Sequence, residues 1–245
     1  NAEQAFYFRK RSHIQRHIKH GEVDFNKLVP IAKRLSNEVY QRKVDGEDLN
    51  TAVSIVIDQS GSMRDSMGEV KKVLVALGEM LFKIGVPFEI FGTTTFDPPN
   101  ENTAFTRYRG IRYMHYKNFN ENWTVAHSKI MKLQPIENNI DGEAVEYAAA
   151  SLQGRKEARK IVFSICDGIP ESGQLNDDVF RRQLKMTCDR VRKAGIEVYS
   201  IGIGTSGPME YYGKNNFIAL DTNKLFSPST IKIFTETIMQ GKFGK

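Results

Sequence analysis

Short apolar runs that alternate with amphipathic stretches are the feature that most constrains the fold of this chain. From residue 51 onward the runs predict strands, and the stretches between them have the spacing of helices. The predicted strands are residues 53–57, 88–91, 111–116, 160–165, 197–201 and 217–220, and the predicted helices are residues 68–83, 141–152, 178–193 and 228–239. This alternation indicates a mostly parallel sheet covered on both faces. We therefore predict an α/β, doubly wound, Rossmann-like domain over residues 51–245, with a polar loop at about 93–110.

Residues 1–50 differ in pattern and are predicted to form a basic helical lead-in that packs on the main domain. Ile14, Ile18, Leu28 and Ile31 recur at mixed spacings of three and four, which is typical of helices. Gly21 is expected to end the first of these helices.

Composition narrows the class of protein. The chain has 245 residues, of which 40 % are hydrophobic, so a sizeable buried core is expected. Its net charge of +6 is a mild excess that does not by itself indicate nucleic-acid binding. Two cysteines, no secretory leader and no apolar run long enough for a membrane span lead us to expect a cytoplasmic protein.

The run from Asp58 to Ser62 concentrates oxygen ligands at the end of the first predicted strand of the main domain. Its Asp-x-Ser-x-Ser pattern places the carboxylate of Asp58 and the hydroxyls of Ser60 and Ser62 on one tight turn. Hard divalent cations such as Mg²⁺ prefer oxygen ligands of this kind. The alternative is that these residues only cap helices. Strand, oxygen-rich turn and helix together resemble the metal-ion-dependent adhesion site of von Willebrand factor A (VWA) domains.

Two further loops are expected to face the same crevice. Asp167 closes an apolar run, and Asp141 opens a helix in a loop where VWA domains normally supply a threonine. Asp141 is the preferred oxygen donor of that loop and Asn139 the second choice, although Asp141 could instead cap its own helix. Mg²⁺ is favoured by availability, but Mn²⁺ or Ca²⁺ would also suit such a site. Bound through hydroxyls and through carboxylates, directly or by way of water, the cation would have the ligands Asp58, Ser60, Ser62, Asp141 and Asp167.

Several motifs resemble the CobT-type subunit of aerobic cobaltochelatase. Residues 139–144 read Asn-Ile-Asp-Gly-Glu-Ala, as in the signature of that family, and residues 57–63, 92–95 and 167–170 are also similar. The resemblance implies an adaptor subunit that works with an AAA+ ATPase subunit, in a ring oligomer and with a large chelatase subunit, to insert cobalt into a corrin ring in cobalamin biosynthesis. Residues 96–99 and 171–173 depart from the family pattern, which leaves the client open.

The sequence leads to one main functional hypothesis and one alternative. The main hypothesis is a non-hydrolysing adaptor, because the chain has no Gly-x-x-x-x-Gly-Lys-Ser/Thr phosphate loop. The alternative is a stand-alone or mobile-element VWA module. Such a module would serve another protein client with a MoxR-like or CobS-like AAA+ ATPase, or capture an acidic ligand through the metal. The Asn139–Ala144 signature favours the adaptor.

Three other features carry weaker hypotheses. His13, His17 and His20 would share one face of a helix and could bind a transition metal, or simply form a basic face. Cys166 is interpreted as a buried small residue rather than a nucleophile. Aromatic and basic residues between 107 and 123 predict a surface for a protein partner, with a macrocycle or nucleic acid as alternatives. These residues are Arg107, Tyr108, Arg109, Arg112, Tyr113, Tyr116, Lys117, Phe119 and Trp123.

Overall fold

A six-stranded sheet forms the centre of the molecule. The computed structural model describes residues 14–23, 40–42, 50–96, 110–168, 178–221 and 227–240. The sheet has the order β5-β4-β3-β6-β7-β8, and only the β4–β5 pair is antiparallel. Its strands are β3 (Thr51–Asp58), β4 (Phe88–Phe96), β5 (Gly110–Lys117), β6 (Arg159–Cys166), β7 (Ile196–Ile203) and β8 (Phe217–Leu220).

Helices cover both faces of this sheet, as the doubly wound prediction requires. They are α1 (Met67–Lys83), α2 (Trp123–Ile130), α3 (Asp141–Gln153), α4 (Asp178–Lys193), the short α5 (Met209–Tyr212) and α6 (Pro228–Gln240). One hydrophobic core lies between the sheet and α1, α2 and α6, and a second lies between the sheet and α3, α4 and α5. Alternate residues of β3 serve the two cores, with Ile55 in the first and Val56 in the second.

The helical interpretation of the first 50 residues is wrong where the structure describes them. Residues Ile14–Val23 form strand β1 and Tyr40–Arg42 form β2, and the two strands pair antiparallel as a separate sheet. Isoleucine favours a pleated strand as readily as a helix, so the spacing of Ile14 and Ile18 was ambiguous. The remaining lead-in residues that carried the helical pattern lie outside the described part of the chain.

The second strand of the main domain is longer than predicted. β4 continues through the threonine run to Phe96, so residues 93–96 belong to the sheet and not to a polar loop. Thr93, Thr94 and Thr95 are each at most 1 % exposed. Threonine is β-branched and suits a strand, and its hydroxyl is tolerated in the interior when it is hydrogen-bonded.

The first strand of the main domain determines where a ligand can bind. β3 lies between β4, which follows it along the chain, and β6, which returns after α2 and α3. Strand order therefore reverses beside β3. In open α/β sheets, ligands bind at such a switch point, outside the carboxyl ends of the strands.

Candidate metal centre

The turn after β3 holds its oxygen atoms in one place through local hydrogen bonds. Asp58 ends the strand and is only 5 % exposed. Its Oδ1 accepts from the backbone N–H of Ser60 over 2.7 Å, which closes the turn. The hydroxyls of Ser60 and Ser62 lie 2.9 Å apart. Neither serine makes a side-chain capping bond to the short 3₁₀ helix Gly61–Arg64, so capping does not explain their presence.

Asp167 reaches the same turn from the neighbouring strand. β6 pairs with β3 in parallel, with Ile57 opposite Ile165, so the two strands end side by side. The hydroxyl of Ser62 donates to Oδ1 of Asp167 over 2.9 Å. Two chain segments that are 105 positions apart thus meet at one hydrogen bond.

Asp141 reaches the site from α3, which covers the face of the sheet opposite to α1, and it is also buried. It is the first residue of α3 and is 3 % exposed. The N-cap of α3 is Ile140, and no side chain caps that helix, so Asp141 does not have the capping role considered from the sequence. Oδ1 of Asp141 accepts instead from the side-chain nitrogen of Asn139 over 2.6 Å. The amide oxygen of Asn139 accepts from the hydroxyl of Thr93 over 2.8 Å, which engages the atom that would have made Asn139 a ligand.

The carboxylates of this centre resist ionisation. Burial raises the pKa of Asp58 to about 7, with a contribution from the negative charge of Asp167, against the opposing effect of hydrogen bonds from Ser60 and Asn139. Burial and then the charge of Asp58 raise the pKa of Asp141 well above its usual range. Burial also raises the pKa of Asp167. Three acids that interact in this way are ionised more readily when a positive charge lies beside them, and a divalent cation would supply that charge.

The donor set fits a hard cation that retains water. Hydroxyl and carboxylate oxygens are the ligands that Mg²⁺ accepts, and Mg²⁺ usually keeps several water molecules. In the described part of the chain, no group of three or more His, Cys, Asp or Glu side chains is arranged to bind one metal directly. Such a cation would have the hydroxyls of Ser60 and Ser62 as ligands, together with the carboxylates of Asp58, Asp141 and Asp167, directly or through water.

Residues 134–139 cross the carboxyl edge of the sheet and are fastened there by groups that the sequence did not identify. The backbone N–H of Glu137 donates to the hydroxyl of Thr94, and that of Asn138 donates to the hydroxyl of Thr95. The backbone N–H of Gly61 donates to the carbonyl of Glu137 over 2.7 Å. The threonine run is the signal that could have revealed this contact, because three successive hydroxyls at a strand end need partners.

Gln59 fastens the same crossing segment from within the metal turn. It is fully buried, and its side-chain nitrogen donates to the carbonyl of Gln134 over 2.6 Å and to the hydroxyl of Tyr116 over 3.0 Å. A Cβ at Gly92 would lie 1.7 Å from Oε1 of Gln59, so only glycine leaves room for this side chain. Nothing in the spacing of Gln59 and Gly92 along the sequence predicted their contact.

The weaker sequence hypotheses have different outcomes. His17 and His20 lie in strand β1, where the helical spacing that was expected to align them does not apply, and His13 lies outside the described residues. His17 and His20 therefore do not share a helix face.

Cys166 is fully buried and burial raises its pKa well above the usual range, which confirms the interpretation as a buried small residue.

The predicted aromatic and basic surface is wrong for Tyr116, Lys117 and Trp123, whereas Arg112 is exposed and Tyr113 and Phe119 are half-buried. Trp123 is 1 % exposed, Tyr116 is buried, and Lys117 is 3 % exposed and donates to the carbonyl of Phe88. Trp123 begins α2, a helix that the apolar pattern did not predict, and its indole N–H donates to Glu79. The rings of Tyr116 and Trp123 contribute to the core instead of forming a stacking surface. Arg107, Tyr108 and Arg109 lie outside the described residues.

A membrane-spanning role finds no support in the helices that the structure describes. None of them combines the length and the apolar character that crossing a bilayer requires.

Comparison with solved structures places the fold among VWA domains. The vWF domain of the type V pili tip protein Mfa5 from Porphyromonas gingivalis is similar, with a TM-score of 0.57, 12 % identity, and coverage of 79 % of this chain and 96 % of that one. The PilB minor pilin from Streptococcus sanguinis is similar with a TM-score of 0.60 and 16 % identity, over 84 % of this chain and 65 % of that one. At these identities the likeness concerns the fold alone.

Sequence comparison identifies the family. The chain is 25 % identical over 202 residues to the uncharacterized protein YojO of Bacillus subtilis, which covers 76 % of this chain and 30 % of that protein. The chain thus spans less than a third of that relative's length. The family model for the cobalamin biosynthesis protein CobT VWA domain matches residues 39–239, which include every residue of the candidate metal centre. The chain belongs to the CobT VWA domain family.

Proposed function

We propose that this chain is the non-hydrolysing adaptor domain of an ATP-dependent metal chelatase, and that it binds Mg²⁺ at Asp58, Ser60, Ser62, Asp141 and Asp167. The observation that carries the proposal is the meeting of three separate loops at one edge of the sheet, seen in the Ser62–Asp167 hydrogen bond and in the bond from the backbone N–H of Gly61 to the carbonyl of Glu137. Membership of the CobT VWA family supports the association with a chelatase.

The distribution of exposure across the site suits an adaptor. Asp58 and Asp141 lie at its base, where solvent hardly reaches them. Ser62 is exposed and Asp167 is partly exposed at its outer rim. A cation held between base and rim would keep a coordination position open to the outside. A carboxylate of a partner protein would fill that position, so that assembly depends on the cation.

The expected partners are an AAA+ ATPase subunit, which hydrolyses ATP, and a large chelatase subunit, which holds the corrin ring. Cobalt is the cargo of such an assembly and is distinct from the cation in the adaptor. The adaptor passes the conformational change of the ATPase ring to the client. Mn²⁺ or Ca²⁺ could replace Mg²⁺ in the adaptor, since oxygen ligands suit all three.

Metal binding and partner binding call for separate measurements. Isothermal titration of the chain with MgCl₂ should give saturable binding that Asp58→Ala abolishes. Co-purification with a CobS-like AAA+ ATPase should require Mg²⁺ and should fail in EDTA and in the Asp58→Ala variant. The matched control is Asp189→Ala, because the side chain of Asp189 on α4 is 58 % exposed and remote in the chain from the three loops.

Two outcomes would reject the adaptor role. One is a complex, with its coupled ATPase rate, that survives Asp58→Ala unchanged. The other is the failure of AAA+ ATPases to bind while MgCl₂ still binds to the chain. The second outcome would favour the stand-alone module, whose ligand would be an acidic group at the same cation.

A further inference from the structure

A buried amide lies between the two most buried carboxylates of the metal centre. The side-chain nitrogen of Asn139 donates to Oδ1 of Asp141 over 2.6 Å. Asn139 also opposes the rise in the pKa of Asp58, as a nearby hydrogen-bond donor does. Asn139 is 5 % exposed, so solvent competes little for these bonds. The amide nitrogen carries two hydrogens, so it can donate to Asp141 and still present a donor toward Asp58.

Thr93 engages the oxygen end of that amide, and the acceptor oxygen of Asp141 engages the nitrogen end. Its hydroxyl donates to Oδ1 of Asn139 over 2.8 Å, and Thr93 is fully buried. In the sheet Thr93 is the register partner of Asp58, so the hydroxyl belongs to the rigid edge of the site. With the amide oxygen held by Thr93, the nitrogen faces the carboxylates. The reversed amide would place a carbonyl oxygen against Asp141 and would leave the acid without a donor.

We infer that Asn139, held by Thr93, is a positioning residue that keeps Asp58 and Asp141 in place for the cation. When the cation is absent, the amide hydrogens of Asn139 partly offset the negative charge of these acids. The inference rests on the proposed function only for the identity of the cation. Asn139 is therefore not itself a ligand. The sequence offered it as the second choice of oxygen donor in its loop, but its oxygen accepts from Thr93. Neutral donors around metal-binding carboxylates orient them in the same way in other metal sites.

The decisive variant is Asn139→Asp, which keeps the shape of the side chain and replaces the donor with an acid. In EDTA at pH 8 we expect its thermal midpoint to fall by about 5 °C or more, because a third acidic group then faces Asp58 and Asp141. Saturating MgCl₂ should restore more stability in this variant than in the wild type. In an Asp141→Asn background the same substitution should cost less than half as much. Asn122→Asp, at an exposed helix cap, is the control and should leave the midpoint within about 1 °C.

A milder variant tests the role of Thr93 if Asn139→Asp does not fold. Thr93→Val removes only the hydroxyl and should weaken Mg²⁺ binding by about tenfold in isothermal titration, as is typical when the support of a metal ligand is lost. Thr51→Val is the matched control, because Thr51 is a buried strand threonine at the opposite edge of the same sheet.

The outcomes separate this inference from the proposed function. If Asn139→Asp in EDTA costs the same with and without Asp141→Asn, or costs nothing, the positioning role of Asn139 is wrong. A wild type that does not respond to MgCl₂ would refute the metal proposal, and the comparison in EDTA would still decide the role of Asn139.

Discussion

At Asp58, burial and neighbouring negative charge both act against ionisation, and the stability of the protein should depend on pH for this reason. The pKa of Asp58 is raised in the folded chain to about 7 from an ordinary value of 3.8. The folded state therefore binds a proton more tightly than the unfolded state. The contribution of Asp58 to the free energy of unfolding is fully present at pH values below the unfolded pKa. It is lost as pH rises through the folded pKa, and the loss is at most about 4 kcal/mol.

This sign leads to a prediction about Mg²⁺ and pH. In EDTA the chain should unfold at a lower temperature at pH 8 than at pH 5.5, and MgCl₂ should raise the midpoint more at pH 8, because the cation binds the ionised acid. Asp58→Asn should raise the midpoint in EDTA at pH 8 and remove the response to MgCl₂. Thermal scans at the two pH values provide the measurement. Equal MgCl₂ shifts at both pH values would contradict the role of Asp58.

Gly92 is a second residue at which the addition of one side-chain carbon should change the stability of the protein. Gly92→Ala places a methyl group 1.7 Å from Oε1 of Gln59 and must displace the side chain that fastens the crossing segment. We expect a loss of about 2–4 kcal/mol in the free energy of unfolding, together with weaker Mg²⁺ binding. Gly154→Ala is the control, since a Cβ there meets nothing within 4 Å. Urea denaturation measures both, and equal losses would show that the crowding at Gly92 is not the cause.

Among the elements, α1 and α2 depend on one close contact. A Cβ at Gly78 of α1 would lie 2.2 Å from the ring of Trp123, the first residue of α2. Trp123 also packs on Phe88 with ring centroids 5.5 Å apart, so its ring cannot withdraw without disturbing the core. Helix α2 in turn precedes the segment that crosses the metal edge.

Two glycine substitutions in the same helix should therefore have opposite effects. Gly78→Ala should destabilise the chain by about 2–4 kcal/mol through overpacking. Gly68→Ala should stabilise it by about 0.5–1 kcal/mol, because a Cβ there meets nothing within 4 Å and alanine favours the helix. Urea denaturation of both variants provides the measurement. A Gly78→Ala variant as stable as the wild type would show that Trp123 can repack.

Over the whole molecule, Arg159 connects the amino edge of the sheet to the last helix. Its guanidinium pairs with Glu197 of β7 and donates to the carbonyls of Thr237 and Ile238 near the end of α6. Only 12 % of the Arg159 side chain is exposed, so these bonds are shielded from solvent. A cation at a helix carboxyl end also meets the negative end of the helix dipole.

Removing this connection should affect α6 more than the rest of the fold. Arg159→Met should lower the free energy of unfolding by about 2–4 kcal/mol, since it removes the cation that pairs with Glu197 and donates to two carbonyls. Arg190→Met should change it by at most about 0.5 kcal/mol, because the ion pair of Arg190 with Glu146 is exposed. Urea denaturation and limited proteolysis of α6 test both. Equal losses would mean that burial of the Arg159 pair contributes nothing.

The sequence by itself determined the class of the fold and most of the candidate centre. Apolar patterns predicted every strand of the main sheet. The buried parallel strands gave the clearest signal, because such a strand must be apolar on both faces. The bounds of helix α4 agree with the predicted residues 178–193. Asp58, Ser60 and Ser62 were recognisable together because local spacing alone places them on one turn.

Tertiary structure decided what depends on contacts between distant segments. The pairing of β3 with β6 brings Asp167 to Ser62, and the pairing of β3 with β4 places Thr93 beside Asp58. The amide of Asn139 was ambiguous in the sequence, because asparagine can offer either its oxygen or its nitrogen. The carboxylate of Asp141, which accepts from the nitrogen, and the hydroxyl of Thr93, 46 positions away, which donates to the oxygen, together resolve that choice. Local patterns specify which residues carry oxygen, but only the assembled sheet specifies which atoms face one another, since hydrogen-bond partners are selected by position in space.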